Sequence, residues 1–176
     1  MGIRLDLARL ALGEGRYGEA ALLARQAADW YRSRDMPGNE AQAMSLLAEA
    51  LLDQGRAGEA RGAAEKARAR AEKSEDREMR VQVASRLARV DAAGGASEEA
   101  VRELRQRIGE AQGAGYVNAA LHARLALGEV LLSAGDAQGR ATLLEVRKEA
   151  AGLGFALLAR RAEQALQTWK GGRKAK

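Results

Sequence analysis

Gly15-Arg16-Tyr17-Gly18-Glu19-Ala20 returns forty residues later as Gly55-Arg56-Ala57-Gly58-Glu59-Ala60, and forty after that as Gly95-Ala96-Ser97-Glu98-Glu99-Ala100. A fourth glycine, Gly135, keeps the spacing. A fixed period of this length marks a stack of one supersecondary unit, because a single unit can bury its apolar face only against its neighbours. Outward from the glycines, Leu7, Leu47, Leu87 and Leu127 form one column, and Ala8, Ala48, Ala88 and Gly128 form the next. A large residue beside a small one fills a gap while letting a neighbouring helix approach. Met44, Leu47, Ala48 and Leu51 keep the i, i+3, i+4, i+7 spacing of one helix face. Strand-like alternation is absent, so the fold is all-α.

Each glycine falls where the first helix of a unit must stop, a position that commonly needs positive φ. A second helix follows at once. Its start is marked by Ser97-Glu98-Glu99, an N-cap candidate with carboxylates in the first turn. Small residues recur on its inner face at Ala20, Ala60 and Ala100, and again at Ala27 and Ala67. In the fourth unit Arg140 takes the alanine place, with Gly139 or Ala141 able to substitute after a small shift. Linkers read as Arg34 to Gly38, Lys73 to Asp76 and Gly113 to Gly115. The pattern therefore predicts four antiparallel helix pairs, over approximately 1–37, 38–77, 78–115 and 116–153. After a break at Gly152-Leu153-Gly154, a lone helix over 154–170 carries Leu158, Ala162, Ala165, Leu166 and Trp169 on or near one face. Such a helix covers the apolar end of a stack.

The 176 residues are thus one domain, 1–170, with a basic tail at 171–176 made flexible by its two glycines. Ala and Leu dominate the apolar residues and only six are aromatic, so the core is thin and built of many modest contacts. Pro37 is the sole proline, which permits long helices almost everywhere. Cysteine is absent, and with it disulfides, thiolate metal sites and a cysteine nucleophile. The N-terminus does not read as a signal peptide, and charges interrupt every apolar run well short of the roughly 20 residues a membrane span needs. A cytoplasmic protein with no membrane partner is expected. Four of the five units of net positive charge come from Lys170, Arg173, Lys174 and Lys176.

Catalytic chemistry finds little to work with. Gly13 to Gly18 matches G-x-G-x-x-G, but that loop needs a preceding strand, and Leu5 to Leu12 reads as helix. His122 is the only histidine, too few for a paired-histidine metal site or a triad with spare parts. No catalytic, metal or cofactor-binding residue is assigned.

Large-small, glycine, a residue pair and Glu-Ala together resemble the tetratricopeptide repeat over almost the whole chain. Leu7, Ala8, Gly15, Tyr17, Ala20, Ala24 and Ala27 stand at its motif positions, and the next two units keep Leu47, Ala48, Gly55, Ala60 and Leu87, Ala88, Gly95, Ala100. Its usual period is about 34 residues. Six more per unit lengthen helices or linkers, by up to roughly 9 Å if all are helical, and the closing proline of the motif is missing. The resemblance implies a right-handed α-solenoid of four helix pairs plus a capping helix, acting as a non-catalytic scaffold that binds a peptide or protein segment in its concave groove. Long-period arrays of this kind look like the C-terminal regions of bacterial multidomain signalling proteins.

In that fold the first helix of each pair lines the groove. The corresponding columns are Gln42, Ser45, Glu49, Gln82, Ser85, Arg89, His122, Leu125 and Glu129, with Leu5 and Arg9 at the entrance and Arg86 beside them. All are expected to be exposed to a ligand. The carboxylate-gripping version of the fold uses Lys and Asn where this chain has Leu5, Arg9, Leu46, Gln82 and Arg86, so that activity is not carried over. A rival reading takes nucleic acid as partner, through the tail and scattered arginines, but no aromatic platform for bases supports it. Leu5, Leu7, Leu10 and Leu12 give the opening helix more apolar surface than one partner covers. That predicts an upstream repeat or self-association through the N-terminal pair.

Overall fold

The computed structural model describes residues 2–168; Trp169 and Lys170, expected in the last helix, and the basic tail lie outside the described residues. Within them the chain forms nine helices: α1(Gly2–Gly13), α2(Tyr17–Arg32), α3(Pro37–Asp53), α4(Ala57–Ala71), α5(Arg77–Ala93), α6(Ser97–Gly113), α7(Val117–Ser133), α8(Gln138–Gly152) and α9(Ala156–Thr168). Starts at 37, 77 and 117 keep the forty-residue step. Connections of three to five residues leave the extra length of each unit in the helices themselves.

The turn inside each pair is closed by backbone alone. Gly15, Gly55, Gly95 and Gly135 have φ of 76°, 77°, 96° and 79°, the left-handed conformation that glycine adopts without a Cβ penalty. The next amide then reaches back five residues, as Arg16 N–H does to the Ala11 carbonyl at 2.8 Å and Ala96 N–H to Asp91 at 3.0 Å. Ser97 is the first helical residue of α6, not its cap; Ala96 stands at the cap and makes no side-chain bond. A side-chain cap occurs at Asp76, within the stretch read as a linker, where the carboxylate accepts from Met79 N–H at 2.9 Å.

Small residues carry the packing. Ala8, Ala48, Ala88 and Gly128 are buried, as are Ala20, Ala60 and Ala100. In the fourth pair Gly139 takes the alanine place, and Arg140 is exposed. The backbones of α7 and α8 consequently come close together: a Cβ on Gly139 would lie 2.6 Å from Leu132 N and 2.7 Å from the Gly128 carbonyl oxygen. Leu47 and Leu87 are buried but Leu7 of the same column is 45 % exposed, because α1 has no earlier unit against it among the described residues. At the other end Leu158 and Ala162 of α9 cover Leu121, Leu125, Val146 and Ala150.

Candidate functional site

The first helices of the pairs stand side by side, α1 on α3, α3 on α5 and α5 on α7, and α9 continues the row against α7. Their inward faces enclose a concave cavity of about 1300 Å³. Its two ends nearly meet: a Cβ on Gly13, at the end of α1, would sit 3.8 Å from Leu157 of α9. One part of the lining is apolar, with Leu12, Tyr17, Leu132, Phe155 and Leu157, and the rest is charged.

Of the columns expected to face the groove, four side chains are not exposed. Ser45, Glu49, Ser85 and Leu125 are almost fully buried, and so is Leu5. The reason is the close approach of neighbouring first helices, which shuts these columns between elements. Ser45 and Ser85 satisfy their hydroxyls by donating to the carbonyls of Gln42 and Val81, at 2.8 and 2.7 Å. Arg9, Arg86, Arg89, His122 and Glu129 line the cavity. Gln42 and Gln82 lie half-buried beside it, Gln42 accepting from Arg9 at 3.2 Å and Gln82 donating to Glu78 at 3.4 Å.

Glu49 is the centre of an ion network that spans most of the stack. Its carboxylate is 1 % exposed and meets Arg86 and Arg89 of α5, each at 3.2 Å, and Arg161 of α9. Arg161 also forks onto Glu129 through Nε and Nη2, at 2.9 and 3.0 Å. Arg89 reaches Asp53 at 2.7 Å and Glu129 at 3.3 Å. Burial pushes the Glu49 carboxyl up, but Arg161, Arg86 and Arg89 together outweigh it and hold the pKa at about 2. Arg161 is half-buried, yet Glu129 and Glu49 raise its affinity for the proton well above the ordinary value. Arg86 differs. Burial disfavours its charge, Arg9 and Arg161 repel it, and Glu49 alone does not compensate, so its pKa is lowered. His122 feels Arg86, Arg161, Arg9 and Glu49; burial, then Arg86 and Arg161, lower its pKa to about 3, and the ring is neutral at physiological pH.

Arg161 and Asp53 are the network members that the groove columns did not include. Arg161 follows a signal present in the sequence. Gln42, Gln82 and His122 each stand seven residues after the turn between units, at Asp35, Glu75 and Gly115; Arg161 stands seven after Gly154. That spacing is 39 rather than 40 from the preceding unit, and reading α9 only as a cover hid it. Asp35, Gly115 and Gly154 share a positive φ, whereas Glu75, in the five-residue connection before α5, does not.

No family model matches the chain, and no curated protein matches it. Among solved structures it is similar to a crystal structure of nearly identical TPR-like repeats, described as those of a Podosopora anserina kinesin light chain. The TM-score is 0.59 at 23 % identity, over 92 % of this chain and 84 % of that one. A single-substitution variant of the same repeats gives 0.58 at the same identity and coverage. The chain has the fold of TPR-like helical repeats, an α-solenoid.

Proposed function

We propose that this protein is a non-catalytic interaction scaffold that holds a peptide or protein segment in the cavity between its first helices. The observation that carries this reading is the cavity itself, enclosed by five parallel elements and larger than the roughly 300–1,000 Å³ of ordinary small-molecule pockets. Arg9, Arg86, Arg89, His122 and Glu129 line the seat, with Gln42 and Gln82 beside it, while Ser45, Glu49, Ser85 and Leu125 support it from behind. Service within a bacterial multidomain signalling protein of the cytoplasm is the setting we favour. Nucleic acid is the poorer fit, because most groove arginines are already held by carboxylates. Ser133 and Gln164 are exposed residues on the cavity wall, so Ser133→Trp and Gln164→Trp each narrow it without disturbing the core. The wild type is expected to select a consensus from a displayed random peptide library, and both variants, melting at unchanged temperature, are expected to lose it. Retention of the same consensus by both variants would rule the cavity out as the seat.

Self-association is a separate part of the proposal. Ile3, Leu7 and Leu10 are exposed on α1, whereas Leu5 and Leu12 face the core. The apolar face offered to a second copy is therefore narrower than the four leucines suggested, and Leu7→Glu with Leu10→Glu is the variant that tests it. Light scattering is expected to show concentration-dependent association for the wild type alone; a monomer at all concentrations for both rejects this part.

A further inference from the structure

One corner of the cavity holds more hydrogen-bond donors than the protein uses. Arg86 places only Nη1 on an acceptor, Glu49, leaving Nε and Nη2 without one among the described residues. Arg9 uses its two terminal nitrogens, on Asp6 and Gln42, and not Nε. Neither ring nitrogen of His122 nor the side-chain amide of Asn118 bonds to another described group, and both side chains line the same cavity. None of these nitrogens is sealed from solvent; among the described residues Arg107 Nε is the one unpartnered side-chain atom that is. The acids nearby are fully engaged elsewhere: Glu49 with three arginines, Glu129 with Arg161 and Arg89, and Asp53 with Arg89. A partly buried guanidinium with one shared counter-ion, beside two further guanidinium groups, is stabilised by an added anion.

The geometry points to a phosphoryl-binding site in this corner, where Arg86 and Arg9 grip a phosphate group carried by the bound segment and His122 and Asn118 donate to it as well. Unpaired donors arrive from three helices, α1, α5 and α7, rather than from one plane. A planar carboxylate is met by a single arginine fork, whereas a phosphate has three oxygens spread in space and suits donors from several directions. Neutral His122 adds to the fit, since an imidazole N–H donates to the anion without needing a proton from solvent, and the anion in turn favours the imidazolium. The inference rests on the cavity being a ligand seat, but free phosphate tests the corner without any peptide.

His122 is the only histidine, so its imidazole proton resonances in the full-length protein report this corner directly. Inorganic phosphate, added at neutral pH and constant ionic strength, is expected to move them saturably, and sodium acetate is expected not to. Arg9→Gln and Asn118→Ala, at half-buried positions outside the Glu49 network, are each expected to weaken the phosphate effect by about tenfold or more. No saturable shift with phosphate overturns the site. Equal response to acetate overturns the phosphoryl assignment, and an undiminished response in both variants overturns its location. Phosphate binding without a peptide consensus counts against the scaffold reading and leaves this site standing; a consensus without phosphate binding does the reverse.

Discussion

Glu49→Ala is expected to destabilise the protein by about 3–5 kcal/mol, because it removes the shared counter-ion of three arginines that remain in place. Chemical denaturation at neutral pH measures it. The sequence reading, which placed Glu49 on an exposed groove wall, predicts almost no change, and a loss below about 1 kcal/mol would return the network to the status of surface ion pairs. Removing one arginine as well should recover part of the loss. In a double-mutant cycle, Glu49→Gln with Arg161→Gln is expected to be clearly less destabilised than the sum of the singles.

The same carboxylate gives the fold a pH dependence whose sign follows from linkage. The folded pKa of Glu49, about 2, lies below its ordinary 4.5. Its contribution is therefore fully present above about pH 4.5 and is lost as pH falls toward 2, amounting to about 3 kcal/mol. Glu49→Gln should lack that decline. His122 acts in the same direction in both proteins: the unfolded chain takes up a proton near pH 6.5 that the folded ring refuses until about 3, so stability falls over that interval. Above about pH 3, where the folded ring is neutral in both proteins, the difference between wild type and Glu49→Gln reports the carboxylate.

The forty-residue frame was legible because it rests on residues that do one job. A glycine at positive φ, an alanine at a helix crossing and a leucine in the gap leave few alternatives, and they repeat. The cavity was legible only in part. Which helices face inward follows from the repeat, and five of the expected residues do line the cavity. How closely neighbouring units approach does not follow from the repeat, and that distance decides whether Glu49 meets solvent or three guanidinium groups. The partner of Glu49 on α9 lies 112 positions away, beyond any local pattern. Leu7 shows the converse limit: its column predicts burial, but among the described residues no earlier unit packs on it.

Gly139→Val is expected to cost about 3 kcal/mol or more, chiefly by forcing α8 away from α7. Even a single added carbon would stand 2.6 Å from Leu132 N, 2.7 Å from the Gly128 carbonyl and 3.0 Å from Leu131 Cβ. Two of these are backbone atoms, which cannot turn aside as a flexible side chain does, so the cost belongs at the upper end of the usual 1–3 kcal/mol for overpacking. Gly128→Ala is the informative comparison. Its added carbon meets the Leu143 side chain at 2.7 Å, which can change rotamer, and the Gly139 carbonyl at 3.2 Å. It should therefore be the milder of the two, although the residues face each other across the same contact. Because α8 and α9 share one core with α7, through Leu132, Leu143, Val146 and Leu158, the damage should spread to the C-terminal helix. Hydrogen exchange is expected to show faster opening of both α8 and α9 in Gly139→Val, with α2, α3 and α4 little changed. Faster exchange confined to α8 would mean that α9 is held by the Arg161 bridges to Glu49 and Glu129 more than by this apolar seat.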